Sequence, residues 1–103
     1  MDTMLNNRAE EAERINAETR ERLIFFINVA VVSGRTRYIY LEQRYGIAAR
    51  KWKNVCNRVQ FPTIGMLSSI INHYPNIATW LMTGSTTSQE QIDPTLNLIK
   101  LKE

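Results

Sequence analysis

The chain is expected to be all-α: five helices in one domain, with a long N-terminal helical extension and a short C-terminal tail. Three observations predict this. Residues 1–33 contain neither proline nor glycine, and their apolar residues recur at helical spacing. Glycine or proline then punctuates the chain at Gly34, Gly46, Pro62, Pro75 and Gly84, so that only short elements fit between the breaks. Within those intervals the apolar residues stand three or four apart, the period of a helix with one buried face.

The first helix carries a thin stripe, Leu5, Ala9, Ala12, Ile15, Thr19 and Leu23, through a charged stretch. Pairs such as Glu10–Arg14 and Glu18–Arg22 would support it by about 0.2–0.5 kcal/mol each. Its charged part projects into solvent or packs on a second copy. From Leu23 to Val32 it becomes strongly apolar and enters the core, and Ser33-Gly34 ends it. Thr36 is placed as the N-cap of a second helix over residues 37–45, with Tyr38, Leu41 and Tyr45 on one face. Gly46 supplies a left-handed turn and Ile47 anchors it. A third helix over 48–57 buries Trp52 and Val55. Phe61-Pro62-Thr63 breaks the chain, and Thr63 caps a fourth helix over 64–73 that packs Ile64, Leu67, Ile70 and Ile71. Pro75 and Asn76 open the last helix, through Ile77, Trp80 and Leu81, until Gly84 stops it. The organisation is therefore 1–22 charged extension, 23–84 folded domain and 85–103 tail. That tail, built around Leu96, Leu98 and Leu101, reads as an edge strand, a short helix opened by Asp93-Pro94, or a disordered segment.

At 103 residues and 44% apolar composition the chain builds one modest core, to which a partner chain would add stability. The net charge of +3 is unevenly spread. Between Gly34 and Gln60 lie seven basic residues, Arg35, Arg37, Arg44, Arg50, Lys51, Lys53 and Arg58, against the single acid Glu42. Residues 61–82 contain no Asp, Glu, Lys or Arg. One concentrated basic block is the electrostatic footprint of a phosphate-binding surface. Cys56 is the sole cysteine, so an intrachain disulfide is impossible and a reducing, cytoplasmic setting is expected. The longest apolar stretch, Leu23 to Val32, is too short to span a bilayer, which needs about 20 residues, so no membrane partner is expected.

The basic block is two helices joined at Gly46-Ile47, an arrangement suited to a DNA groove. Leu41, Gly46, Ile47, Trp52, Val55, Asn57, Pro62, Leu67, Ile70 and the closing Trp80-Leu81-Met82-Thr83-Gly84 stand in a joint spacing. In it, residues 23 to about 84 resemble the phage-repressor-like helix–turn–helix domain, of the lambda-repressor/Cro type. The resemblance implies that 37–45 is the supporting helix and 48–57 the recognition helix. Ala49, Arg50, Lys53 and Asn54 then fall at base-contacting positions, Asn57 at a phosphate-contacting one, and Tyr38 where a polar side chain meets the DNA backbone. Two residues depart from the family pattern: Glu42 stands where a small residue is usual, and Trp52 where valine or isoleucine is usual. Together they imply a wider space between the two helices.

The residue types fit the chemistry. Arg35, Arg37, Arg44 and Arg58 flank the helices and, with Lys51, are candidates for phosphate contact, which releases counterions and makes affinity fall steeply with salt. Arg50 can grip guanine O6 and N7, Asn54 can pair with adenine N6 and N7, and Ala49 can lie against a thymine methyl. Trp52 and Trp80 read as core residues and Cys56 as a small buried one. The Glu10, Glu11 and Glu13 cluster reads as a solvated helix face. His73 has no second ligand at metal spacing. No nucleophile–base pair or phosphate-cradling glycine loop is present. The chain is thus expected to be no enzyme, with no cofactor, metal or small-molecule ligand.

The expected function is a sequence-specific double-stranded DNA-binding transcriptional regulator, a phage or prophage repressor that binds its operator as a homodimer. Dimers of this class read half-sites about 34 Å apart. The N-terminal helix and the segment LNLIKLK are the candidate dimer elements, the helix being favoured. The alternative is a protein-interaction module on the same fold, antirepressor or antitoxin-like, to which the long charged helix points.

Overall fold

Helix α1 runs from Asp2 to Ala30, followed by α2 (Arg37–Tyr45), α3 (Ala49–Cys56), α4 (Ile64–His73), a 3-10 turn (Pro75–Ile77) and α5 (Ala78–Thr83). A computed structural model of the chain describes residues 2–86 and 92–95, with side chains described from residue 7 onward. Among them there is no strand, so the all-α class holds. The Leu5 side chain, residues 87–91 and residues 96–103, which include Leu96, Leu98 and Leu101, lie outside what the structure describes.

Twenty-nine residues make α1 about 43 Å long at 1.5 Å per residue. Every residue from Asn7 to Asn16 is exposed, and burial starts in earnest at Thr19. The expected pairs do not form: Arg14 lies 3.7 Å from Glu11 and 3.5 Å from Glu18. Arg22 turns inward instead, donating from Nε to the Leu81 carbonyl at 2.9 Å and from Nη2 to Thr19 Oγ1 at 3.3 Å. Packing against α5 outcompetes a solvent-screened pair on the helix surface.

Helix α1 also stops three residues earlier than its sequence implied, at Ala30 rather than Ser33. The cause is Arg37. Its guanidinium donates to Asn28 Oδ1 at 2.5 Å, to the Val31 carbonyl at 3.1 Å and to the Val32 carbonyl at 3.3 Å. Acceptors at the end of α1 are thus met by a side chain from the first turn of α2.

Thr36 does occupy the N-cap position of α2, yet its hydroxyl makes no capping bond. Its backbone is right-handed helical, φ −91° and ψ −1°, not the extended conformation that lets a cap side chain reach the next amides. Thr63 shows the contrast. It is extended, and its Oγ1 accepts from Met66 N at 3.1 Å. That cap fixes where α4 starts, and the helix buries Met66 and Ile70 with Leu67 and Ile71 beside them. Ile64 lies about 200° around the helix from Met66 and is 83% exposed, a correction to its expected core role.

The core gathers Leu23, Phe26 and Ile27 of α1, Leu41 of α2, Trp52 and Val55 of α3, Met66 and Ile70 of α4, then Ile77, Trp80 and Leu81. Both tryptophans are core residues, as expected. Gly84 ends α5 at φ 82°, and a Cβ there would meet Arg22 Nη1 at 3.1 Å. Beyond the gap, Ile92 N donates to the Asn76 carbonyl at 2.6 Å and Pro94 is fully buried. Asp93 Oδ1 accepts from Thr95 N and Oγ1, forming a local turn.

Arg37→Ala removes three hydrogen bonds at once. It is expected to lower the unfolding free energy by about 1–2 kcal/mol, read as a lower urea midpoint at unchanged slope. An unchanged midpoint would show that the capping contributes nothing.

Candidate nucleic-acid interface

Short helices need anchoring, and α3 is anchored from one side and from its start. Trp52 and Val55 are fully buried, and Trp52 Nε1 donates to the Ile47 carbonyl at 3.1 Å. Gly46, at φ 75°, turns the chain between α2 and α3, with its N–H on the Glu42 carbonyl at 2.8 Å. Ala48 occupies the N-cap position of α3 and has no side-chain oxygen to offer. Glu42 fills that role from α2: its Oε1 accepts from Ala49 N at 2.8 Å. Trp52 beneath and Glu42 across therefore meet at one turn.

At 100° per residue, Arg50, Lys53, Asn54 and Asn57 share the side of α3 opposite Trp52 and Val55. Arg50, Lys51, Lys53 and Asn57 are exposed, and Ala49 and Asn54 are half-buried. Arg50, Lys51 and Lys53, together with exposed Arg35 in the turn before α2, make no hydrogen bond or ion pair among the described residues. This is a basic surface backed by a fixed apolar floor.

Other sequence-expected site residues are engaged within the chain. Asn54 donates from Nδ2 to Gln60 Oε1 at 3.3 Å, and its carbonyl accepts from Val59 N at 2.7 Å. Arg37 closes the end of α1. Arg44 donates from Nε to the Tyr45 hydroxyl at 3.3 Å and lies over that ring. Tyr38 is half-buried against the core beside Cys56. Burial raises the pKa of both the Tyr38 hydroxyl and the Cys56 thiol, which keeps the thiol protonated and poorly reactive.

Arg58 is the most tightly held. Its Nε and Nη2 meet Glu21 Oε2 and Oε1 at 2.8 and 2.6 Å, a two-pronged bond from the end of α3 back to α1. Arg58 also has φ 61°, an uncommon value for a residue with a side chain. Next to it, the Arg20 guanidinium stacks 4.7 Å from the centre of the Phe61 ring. The Arg58 hydrogen bonds hold the Glu21 carboxyl below the usual carboxylate range, opposed by desolvation and helped by the charges of Arg58 and Arg20.

Sequence reasoning assigns no role to Glu21, Arg20 or Gln60, and treats Glu42 only as a departure. The Glu21–Arg58 pair joins residues 37 apart, which periodicity cannot reveal. Glu42 had a readable signal: the lone acid of the basic block, preceding a helix start that lacks its own cap.

An apolar pocket of about 360 Å³ opens at the end of α1, lined by Ala30, Val31, Val32, Thr36, Arg37 and Tyr40. Among the described residues no group of three or more His, Cys, Asp or Glu side chains could hold a metal ion, and no helix is long and apolar enough to cross a membrane. No family model, curated protein or solved structure matches this chain.

The pKa of Glu21 gives a signed prediction. Because its folded value is depressed, the pair contributes stability above the unfolded carboxylate pKa, and that contribution fades as pH falls through the folded value. Glu21→Gln should therefore flatten the acid limb of the stability–pH curve and leave its slope near neutrality unchanged. Superimposable acid limbs for the two proteins would refute this.

Proposed function

We propose that the chain is a sequence-specific regulator that binds double-stranded DNA through α2, the turn and α3, used as a helix–turn–helix. The observation that carries this is the exposed side of α3. Arg50 and Lys53 are unpaired there, with exposed Lys51 at its flank, while Trp52 and Val55 on the other side lock the helix to the core. Such a helix offers guanidinium and ammonium donors at a fixed orientation, which suits base edges and phosphates in a major groove. Arg35 lies outside the pair as a further phosphate contact. Arg50 and Lys53 are the favoured base readers, with Ala49 beside them. Asn54 can join them only by leaving Gln60. Occupying a promoter would make the protein a repressor of phage or prophage type.

The reading includes a homodimer, since one such helix covers only a few base pairs. The exposed stretch Asn7–Asn16, with Ile15 47% exposed, is the favoured contact between copies. The same stretch is the observation favouring the second reading, a module that binds another protein.

Titrating wild type and the Arg50→Ala, Lys53→Ala double variant into mixed genomic DNA across a salt series separates the readings. Wild type should bind with log–log salt dependence of several units. The double variant should lose preferred sites, at about 1–3 kcal/mol of discrimination for each good contact removed. Salt-insensitive binding, or none, would rule out the DNA reading. Deleting residues 1–16 stops short of Thr19 and Arg20 and should shift the solution mass toward monomer. A truncated protein that stays dimeric would exclude this helix as the interface.

A further inference from the structure

The carboxylate at the start of α3 is out of place on a surface that otherwise attracts phosphate. Glu42 is the lone acid between Gly34 and Gln60. It is exposed, and one of its oxygens holds the Ala49 amide at 2.8 Å. The other oxygen makes no hydrogen bond or ion pair among the described residues. An amide at a helix start is otherwise a natural donor to an anion. Here that donor is taken, and a negative charge stands in front of it.

Resting on the DNA reading above, we propose that Glu42 sets base discrimination at the beginning of α3. A phosphate has only acceptors and a negative charge, so the carboxylate repels it. The N4 amino group of cytosine is a donor, and a carboxylate accepts from it in the major groove. Glu42 therefore weakens binding to the backbone of any sequence while favouring a cytosine within reach of its free oxygen. The bond to Ala49 makes it a positioning residue as well, since it ties the start of α3 to α2. The two roles separate in degree: without the charge the cap keeps an acceptor oxygen of the right reach and loses only its charge-assisted part, whereas discrimination needs the charge.

Three variants test this. Glu42→Gln keeps the reach and an acceptor oxygen and removes the charge. Its thermal midpoint should fall slightly, as the charge-assisted part of the cap is lost, and its affinity for a random-sequence duplex at low salt should rise about fivefold, as expected for loss of one nearby like charge worth roughly 1 kcal/mol. Sites selected from a random pool should lose a cytosine preference at one position and keep the rest. Glu42→Asp keeps the charge on a shorter arm and should stay with wild type in random-duplex affinity. Glu42→Ala loses both features, so it should melt below Glu42→Gln and bind random duplex more tightly than wild type. If Glu42→Gln selects the same sites as wild type with equal random-duplex affinity, Glu42 is a cap only and the proposal falls. A Glu42→Asp variant that tracks Glu42→Gln overturns it too. Wild type failing to bind duplex DNA in the salt series removes the DNA reading and this inference together, an outcome distinct from the other two.

Discussion

The structure depends on the burial of one face of α1 between Thr19 and Val31. Leu23, Phe26 and Ile27 have essentially no exposed surface. Around them the aromatic rings meet edge to face, Phe26 with Tyr74 at 4.9 Å and Phe25 with Trp80 at 6.3 Å. Helices of nine, eight, ten and six residues are too short to persist alone in water. Each persists because its apolar side is covered, and the long helix supplies the central surface. Its polar residues then fix the ends of its neighbours. Arg22 binds the end of α5, Glu21 binds Arg58 just past α3, and Asn28 with the Val31 and Val32 carbonyls binds Arg37 at the start of α2.

This arrangement divides the cations into two sets. Arg22, Arg37 and Arg58 make bonds within the chain, and arginine suits that work because its planar fork makes several bonds at once. Arg35, Arg50, Lys51 and Lys53 are left at the surface. Counting charge along the basic block therefore overstates what is free. The block holds seven cations, but Arg37 and Arg58 are already engaged, and Arg44 is turned to Tyr45. Density of charge locates the surface, whereas the hydrogen-bond partners identify which members can turn outward.

Much of the fold was legible because its determinants are local. Gly46 must be glycine-like at positive φ, Thr63 can cap the helix after it, and Trp52 and Val55 stand at the spacing of a buried helical side. The misses all involve partners distant in sequence or competing bonds. Nothing near Ser33 tells that Arg37 will take the Val31 and Val32 carbonyls just past the end of α1. Ile64 looked like core because it is apolar and three residues before Leu67, yet the face that packs is centred on Met66 and Ile70, and Ile64 lies about 200° from Met66. The pairing of Arg58 with Glu21 was not readable because Glu21 lies 37 residues away. At the candidate site, α3 and its exposed basic residues were readable from periodicity. The engagement of Asn54 with Gln60 was not, because Gln60 comes back to α3 only through the turn at Asn57 and Arg58.

A surface helix of eight residues keeps its orientation only where it is restrained, and the turn between α2 and α3 supplies that restraint. The Trp52 ring has a large apolar area and only two side-chain torsions, so its burial fixes the rotation of α3 about its own axis at small entropic cost. Its Nε1 bond to Ile47 fixes depth as well, because the indole cannot slide outward without leaving that carbonyl. Glu42 then restrains the start of the helix and the Arg58–Glu21 bond restrains the chain just beyond its end. With rotation, depth and both ends set by Trp52, Glu42 and Arg58, Arg50, Lys51 and Lys53 can change without changing how α3 is held. Glu42 alone belongs to both sets. It is part of the restraint, and its charge lies on the surface that the restraint presents.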